Sequence, residues 1–182
     1  MNNKPFDYIE EAHLTASPHF HGEKVPLAHF GEVLKQAIEA LQALDKVKKS
    51  LFYGRELPIA NISGEVFENC NGLPAWISNH PDEDAKARNI IHGIIGKATE
   101  AGELLEALHA TAIRGASFDA VNALEEVGDG FWYDALLLRA IGSNFDEAQS
   151  VNIAKLRHRF PDRFTEYDAN NRDLFGERRI LE

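Results

Sequence analysis

Residues 100–129 read EAGELLEALHATAIRGASFDAVNALEEVGD, which is typical of two helices separated by a short break. Acidic residues stand three positions apart near each end of this stretch: Glu100 and Glu103, then Glu126 and Asp129. Residues three apart share one face of a helix. If the two helices pack antiparallel across the break, the two acidic pairs lie level with each other. The stretch therefore predicts that four carboxylates converge.

Helical periodicity continues on both sides of this stretch. Apolar residues recur at three- and four-residue steps, as on the buried face of an amphipathic helix. Four helices are predicted, at about 27–51, from 82 to about 112, at about 118–141 and at 143–160. Strand signals are weak. The expected fold is an all-α, four-helix-bundle-like core.

The segments outside these helices have a different composition. Residues 1–26 contain three prolines and are predicted to form an N-terminal arm with at most one short helix. Residues 55–82, rich in proline and glycine, are predicted to be a long irregular connection. The helical domain is expected to span 27–160. The highly charged residues 161–182 are expected to form an extended tail.

Charge and composition disfavour several classes of function. The 182 residues include 29 acidic and 19 basic side chains, a net charge of −10. Nucleic acids and anionic membranes attract positive surfaces, so neither is an expected partner. The one cysteine, Cys70, allows no internal disulfide and no cysteine zinc site. With no signal-like start and no long apolar run, the expected location is the cytoplasm.

The third predicted helix is apolar around most of its circumference. Residues 130–142 read GFWYDALLLRAIG, and their charged members are Asp134 and Arg139. A helix of this kind is buried on most sides, within its domain or against another subunit. We therefore expect the chain to form a homodimer or a homotetramer.

The acidic constellation points to a divalent cation. Two carboxylates about 5 Å apart repel by about 3 kcal/mol at an effective dielectric constant of 20, so a cluster needs a cation or protonation. Ligands that are all oxygen favour Mg²⁺ or Mn²⁺ over zinc.

Basic and aromatic residues supply candidates for binding a phosphorylated ligand. Asn152, Lys155 and Arg159 share one face of the fourth helix, as a phosphate site would require. Trp132 is a candidate for stacking on a base, although core packing is the alternative interpretation. A second basic cluster includes Lys48 near the end of the first helix. It is interpreted either as complementing the helix dipole or as contacting substrate phosphate.

Three sequence elements in this order resemble a known family. E-A-G-E at 100–103, E-V-G-D at 126–129 and N-I-A-K-L-R-H-R-F-P at 152–161 are similar to the MazG-like branch of the all-α nucleoside triphosphate pyrophosphatases. That family's signature is E-E-x-x-E, then a gap, then E-x-x-D, and the gap here is 22 residues. The resemblance covers about 86–173, is strongest over 86–160, and includes Asn171-Arg172-Asp173.

The resemblance implies an acid anhydride hydrolase that needs Mg²⁺, with Mn²⁺ as a substitute. Such an enzyme cuts a nucleoside triphosphate between its α- and β-phosphates, releasing the monophosphate and pyrophosphate, in nucleotide-pool control or house-cleaning. Assembly into dimers or tetramers completes the active site in this family. The residues that match its catalytic and metal-binding carboxylates are Glu100, Glu103, Glu126 and Asp129. Those that match its substrate-binding residues are Asn152, Lys155 and Arg159, with Arg172 as a later element.

One departure from the signature keeps two other interpretations open. Thr99 stands where the family has its first glutamate, and a hydroxyl is a poor substitute for an anionic ligand. A non-catalytic, oligomeric nucleotide-binding module of the same fold is therefore an alternative. A di-iron carboxylate bundle is another, because Glu106-x-x-His109 and Glu10-x-x-His13 have the ligand spacing of such sites.

Overall fold

The structure is a computed structural model that describes residues 6–57 and 81–182. All regular secondary structure among these residues is helical, which confirms the predicted all-α class. Residues 58–80, most of the predicted 55–82 connection, lie outside the described residues. The α-helices described are α1 Tyr8–Leu14, α2 Leu27–Tyr53, α3 Pro81–Arg114, α4 Ala120–Ile141, α5 Phe145–Arg159, α6 Glu166–Asn170 and α7 Leu174–Leu181.

Local sequence explains where the long helices begin and end. Helix α2 ends at Gly54, whose positive φ of 65° is unfavourable for any residue with a side chain. Gly115 (φ 70°) begins the turn after α3 in the same way. The Asp119 carboxylate then caps α4 by accepting hydrogen bonds from the backbone N–H groups of Val121 and Asn122. The predicted ends of the four long helices lie within a few residues of the observed ends, which is the usual uncertainty of a helix boundary.

Helices α2, α3 and α4 make up the larger of two compact units, Val25–Gly142. Helix α3 packs against both of the others. Helices α3 and α4 run in opposite directions: Glu103 of α3 lies near Glu126 of α4, whereas Lys97, which is earlier in α3, binds Asp134, which is later in α4. The predicted antiparallel packing of these two helices is therefore confirmed.

Two glycines bring these helices close together at the level of the acidic residues. A Cβ atom on Gly96 of α3 would lie 2.1 Å from the Tyr133 ring of α4. A Cβ atom on Gly102 would lie 2.9 Å from the Leu41 Cβ atom of α2. Neither distance is compatible with a larger residue in this arrangement. The side chains around these glycines are thus held between three closely packed helices.

The smaller unit combines the residues before Val25 with those after Gly142. In this unit, α5 packs against α7 and α1. Helix α5 is the fourth helix predicted from the sequence, which was expected to share one domain with the other three. Residues 161–182 also differ from the extended tail that was predicted, because they form α6 and α7. Thr165 and Asp173 cap these two short helices with side-chain oxygens.

Candidate metal centre

Three of the four predicted carboxylates meet in the larger unit. Glu100 and Glu103 of α3 and Glu126 of α4 each offer one oxygen, and these oxygens all lie within 4.8 Å of one another. Glu100 and Glu126 are buried, whereas Glu103 is exposed. The turn between α3 and α4 is short, so Glu103 and Glu126 lie level with each other on the two helices. The group is thus closed on the side of the helix core and accessible at Glu103.

Asp129 is not a member of this group of carboxylates. Three residues turn a helix by about 300°, so Asp129 is rotated by about 60° from Glu126 around α4. It is exposed and lines a cavity of about 300 Å³ together with Tyr53, Trp132 and Tyr133. The predicted convergence of four carboxylates is therefore found for three of them.

Two of the three carboxylates, Glu103 and Glu126, have a raised pKa. Burial raises the pKa of Glu126 to about 7, and the negative charge of Glu103 adds to this effect. Burial also raises the pKa of Glu103, as does its proximity to Glu100. Like charges in a poorly solvated site favour protonation or a bound cation. The group has the electrostatics of a site that gains stability when a cation enters.

Lys48 is a buried cation that reaches the carboxylates from α2. Its ammonium donates hydrogen bonds to Thr99 Oγ1 (2.7 Å), Glu100 Oε1 (3.1 Å) and the Tyr133 hydroxyl (3.3 Å). Burial opposes the charge of Lys48, but the bonds to Glu100 and Tyr133 raise its pKa above the usual range. The side chain of Lys48 turns inward to the carboxylates and the last turn of α2 contains no basic residue, so the helix-dipole interpretation of Lys48 is wrong, whereas contact with a substrate phosphate stays a prediction.

Thr99, which departs from the family signature, is the residue that Lys48 approaches most closely. Its hydroxyl accepts the hydrogen bond from Lys48 and donates one to the carbonyl oxygen of Gly96 (2.8 Å). Thr99 is therefore a buried, satisfied part of the helix interface. An ammonium lies beside the hydroxyl at the position where the signature has a carboxylate.

The donor set fits a hard divalent cation. Carboxylate oxygens are the ligands that Mg²⁺ and Mn²⁺ prefer, and Glu100, Glu103 and Glu126 supply three of them. Within the part of the chain that the structure describes, the group that can hold a metal contains no histidine. Glu106 instead accepts a hydrogen bond from Gln42 (2.8 Å). The Glu-x-x-His spacing that suggested a di-iron centre is therefore not represented among Glu100, Glu103 and Glu126.

We expect cation binding to weaken as the pH falls. A divalent cation must displace the proton that Glu126 holds below a pKa of about 7. One displaced proton reduces Mn²⁺ affinity about tenfold between pH 8 and pH 6. Calorimetric titrations at pH 6 in buffers of different ionisation enthalpy should detect close to one released proton. An affinity that is constant over this range contradicts the expectation.

The same raised pKa makes the metal-free protein more stable in mild acid. Glu126 binds its proton more tightly in the folded than in the unfolded chain, whose pKa is near 4.5. Its contribution to stability is therefore fully present below the unfolded pKa and is lost as the pH rises through about 7. In EDTA, the effect of Glu126 should appear as a melting temperature that is higher at pH 6 than at pH 8.

Trp132, the sequence candidate for base stacking, lines the cavity that contains Asp129. The Trp132 ring is about half exposed and meets the rings of Tyr133 and His92 edge-on, at centroid distances of 5.0 and 5.6 Å. Its exposure argues against the interpretation of Trp132 as a core residue. Phe52 stacks on the other side of His92 at 3.8 Å. The cluster offers an aromatic surface next to Asp129.

The remaining predicted site residues belong to the smaller unit. Asn152 accepts a hydrogen bond from the Tyr8 hydroxyl (3.2 Å), and Lys155 is half-buried on α5. Arg159 and Arg172 both donate to Glu177, each through two nitrogens. This contact gives both guanidinium groups a structural role. Sequence analysis missed Glu177, because neither its spacing nor its surroundings distinguish it from other acidic residues of the tail.

Two further comparisons concern the chain as a whole. None of the helices among the described residues combines the length and the apolar character that crossing a membrane requires. Comparison of the chain with protein-family models, with curated proteins and with solved structures finds no match.

Proposed function

We propose that this protein is a metal-dependent hydrolase that cuts a nucleoside triphosphate between the α- and β-phosphates, releasing a nucleoside monophosphate and pyrophosphate. The observation that supports this most is the convergence of Glu100, Glu103 and Glu126 from two antiparallel helices. The resemblance of the sequence to the all-α pyrophosphatases gives the reaction and the bond that is cut. The proposed cation is Mg²⁺, with Mn²⁺ as a substitute.

The chemistry of the reaction matches what these side chains can do. Cleavage of a phosphoanhydride needs neutralisation of phosphate charge and an aligned water more than it needs a protein nucleophile. A bound divalent cation supplies that neutralisation and lowers the pKa of its water. Glu100 is held in place by Lys48, and the three carboxylates together fix where a cation binds. Carboxylates in this position also orient water by accepting its hydrogen bonds.

The accessible side of the carboxylate group has room for a substrate. A cavity of about 230 Å³ is lined by Thr99 and Glu103 of α3 and by Asp45 of α2, among others. The exposed Glu103 lies between this cavity and the buried carboxylates. In the proposed function, Trp132 stacks on the base. Phosphate binding by Asn152 and Lys155 stays a prediction, and phosphate binding by Arg159 or Arg172 would compete with their contact with Glu177.

Product analysis tests the proposal. Purified protein is incubated with a panel of standard and modified nucleoside triphosphates and their deoxy forms, in Mg²⁺, in Mn²⁺ or in EDTA. We expect monophosphate and pyrophosphate in both metals and none in EDTA, and the most rapidly cleaved compound identifies the substrate. Diphosphate with inorganic phosphate would contradict the proposed bond.

A second candidate function is nucleotide binding without turnover. Thr99 favours it, since the buried hydroxyl and the neighbouring Lys48 ammonium replace one anionic ligand of the signature. The same panel separates the two candidates when binding is measured calorimetrically in parallel. Saturable nucleotide binding with no product in either metal would identify the binding module.

We further propose that the protein associates with copies of itself through α4. Val121 and Leu124 are 79% and 74% exposed, and Phe131 is 58% exposed. These residues follow one another at intervals of three and seven, with Gly128 and Ala135 continuing the stripe. Within the described part of the chain, no large side chain is completely buried. A second copy packing on this stripe supplies the apolar cover that one chain lacks.

Replacement of one residue in this stripe should separate the subunits. We expect Leu124→Glu to reduce the mass in light scattering to that of a single 20.3 kDa chain, because a buried unpaired carboxylate is unfavourable in a subunit interface. Leu174→Glu on α7 is the matched control, since Leu174 is 63% exposed and lies outside the stripe. It should leave the mass unchanged. A wild-type protein that is monomeric at micromolar concentration contradicts this assembly.

A further inference from the structure

Lys48 holds Glu100 in place, and it also brings a buried positive charge to the three carboxylates. Its side chain is 4% exposed, so the ammonium is removed from solvent. It lies 3.1 Å from Glu100 Oε1 and 3.3 Å from Asp45 Oδ1. A lysine that holds its charge at such a depth must be compensated by the groups around it. The groups that surround the Lys48 ammonium therefore indicate the role of its positive charge.

The charges around Lys48 balance with a single divalent cation. Glu100, Glu103 and Glu126 carry three negative charges when all of them are ionised. Lys48 neutralises one of them, and two remain, which one divalent cation matches. Asp45 does not change this balance, because it also pairs with Lys49. A second divalent cation would leave an excess of two positive charges in a poorly solvated site.

The geometry at Thr99 also indicates that the three carboxylates hold a single divalent cation. The Thr99 hydroxyl is neutral, and its oxygen already accepts the Lys48 hydrogen bond. It donates to the Gly96 carbonyl oxygen (2.8 Å) and also lies 3.3 Å from Glu100 Oε1. A second cation on this side would meet the ammonium instead of a ligand. The ammonium and the hydroxyl both lie within hydrogen-bond distance of Glu100 Oε1, so a second metal at this oxygen would have to displace them.

We propose that Lys48, held by Thr99 and Tyr133, is a fixed internal cation in the place of a second metal, so that the centre binds one divalent cation per chain. This inference rests on the proposed function, since it concerns the cation that the same carboxylates hold. Lys48 is thus a positioning residue: it orients Glu100 and sets the number of metals without touching the substrate.

The test measures metal binding in the absence of nucleotide. Metal-free full-length protein is titrated with Mn²⁺ at pH 8, with stoichiometry from calorimetry and from the electron paramagnetic resonance of unbound Mn²⁺. We expect one Mn²⁺ per wild-type chain. We expect Lys48→Met to bind Mn²⁺ about tenfold or more tightly, because a like charge next to the metal has been removed. A merely structural lysine would give weaker binding on removal, which is the opposite sign.

Two further variants extend the test to the number of metals. Lys48→Met combined with Thr99→Glu replaces the internal cation by a ligand and should bind two Mn²⁺ per chain. Thr99→Glu alone should bind one, because Lys48 pairs with the new carboxylate. Lys97→Met is the matched control, since it removes one positive charge from an exposed pair on α3 and should leave Mn²⁺ affinity within twofold. Circular dichroism checks that each variant is folded.

The outcomes separate this inference from the proposed function. Two Mn²⁺ per wild-type chain, or two in Thr99→Glu, would overturn the role of Lys48 while leaving the metal centre in place. Weaker binding by a folded Lys48→Met chain would also overturn it. If the Lys48→Met chains do not fold, the stoichiometries of wild type and of Thr99→Glu decide. No binding to wild type would contradict the metal centre itself.

Discussion

Glu126→Gln is expected to abolish hydrolysis and, at the same time, to raise the melting temperature of the metal-free protein. The amide keeps the shape of the side chain but removes an anionic ligand, so we expect turnover to fall by at least about a hundredfold. In EDTA at pH 8 the wild-type carboxylate is ionised against Glu103, and the neutral amide relieves that repulsion. We expect a gain of about 4 °C by scanning calorimetry.

Lower turnover together with a higher melting temperature distinguishes the loss of a metal ligand from the loss of the fold. Glu125→Gln is the matched control, because Glu125 is the exposed neighbour on α4 and is not in the carboxylate group. It should keep turnover within about twofold of wild type. A Glu126→Gln protein that retains most of its activity would show that the site assignment is wrong, and a lower melting temperature in EDTA would contradict the electrostatics.

Glu177→Gln is expected to destabilise the smaller unit by about 3 kcal/mol, because breaking a buried ion pair leaves its cation uncompensated. Glu177 is 3% exposed and receives two hydrogen bonds from Arg159 and two from Arg172. Arg172 is more exposed than Arg159, so Arg159 accounts for most of the loss. Urea unfolding followed by circular dichroism measures the change, and limited proteolysis should locate it at α7.

The matched control for this change is Glu182→Gln on the same helix. Glu182 pairs with Arg178 at the surface, so we expect a change below about 0.5 kcal/mol. The two guanidinium groups hold the pKa of Glu177 well below its usual range. Its contribution to stability is therefore present above the unfolded pKa and is lost as the pH falls below it. A Glu177→Gln variant as stable as Glu182→Gln would contradict this role.

The sequence was sufficient for the four long helices and for the antiparallel order of α3 and α4. Periodicity and the glycines at Gly54, Gly115 and Gly142 mark where the long helices end, and local conformation determines these positions. The meeting of Glu103 with Glu126 followed from a short turn between two helices of known direction. Both inferences used interactions between residues that are near in the chain or equally far from one turn.

Contacts that depend on the rotation of a helix about its own axis were not predictable. Lys48 meets Glu100 across 52 positions of the chain, and periodicity alone does not fix which face of α2 turns toward α3. Asp129 shares a helix face with Glu126 but faces a different cavity, for the same reason. Glu177 of α7 pairs with Arg159 and Arg172, and periodicity does not predict this contact with α5.

Thr99 illustrates how a departure from a signature gains meaning from the structure. In the sequence it was a missing ligand, and it kept a non-catalytic module open as an alternative. In the structure its hydroxyl accepts a hydrogen bond from the Lys48 ammonium, so the position that departs from the signature lies beside a buried positive charge.

The central claim is that this carboxylate group directs water onto the anhydride between the α- and β-phosphates of a nucleotide. Hydrolysis of the best substrate in H₂¹⁸O with Mg²⁺, followed by mass spectrometry of the separated products, tests it most directly. We predict one ¹⁸O atom per turnover, divided between monophosphate and pyrophosphate according to which phosphorus is attacked, and no reaction in EDTA. Label found in inorganic phosphate alongside a nucleoside diphosphate, or turnover that persists in EDTA, would contradict the claim.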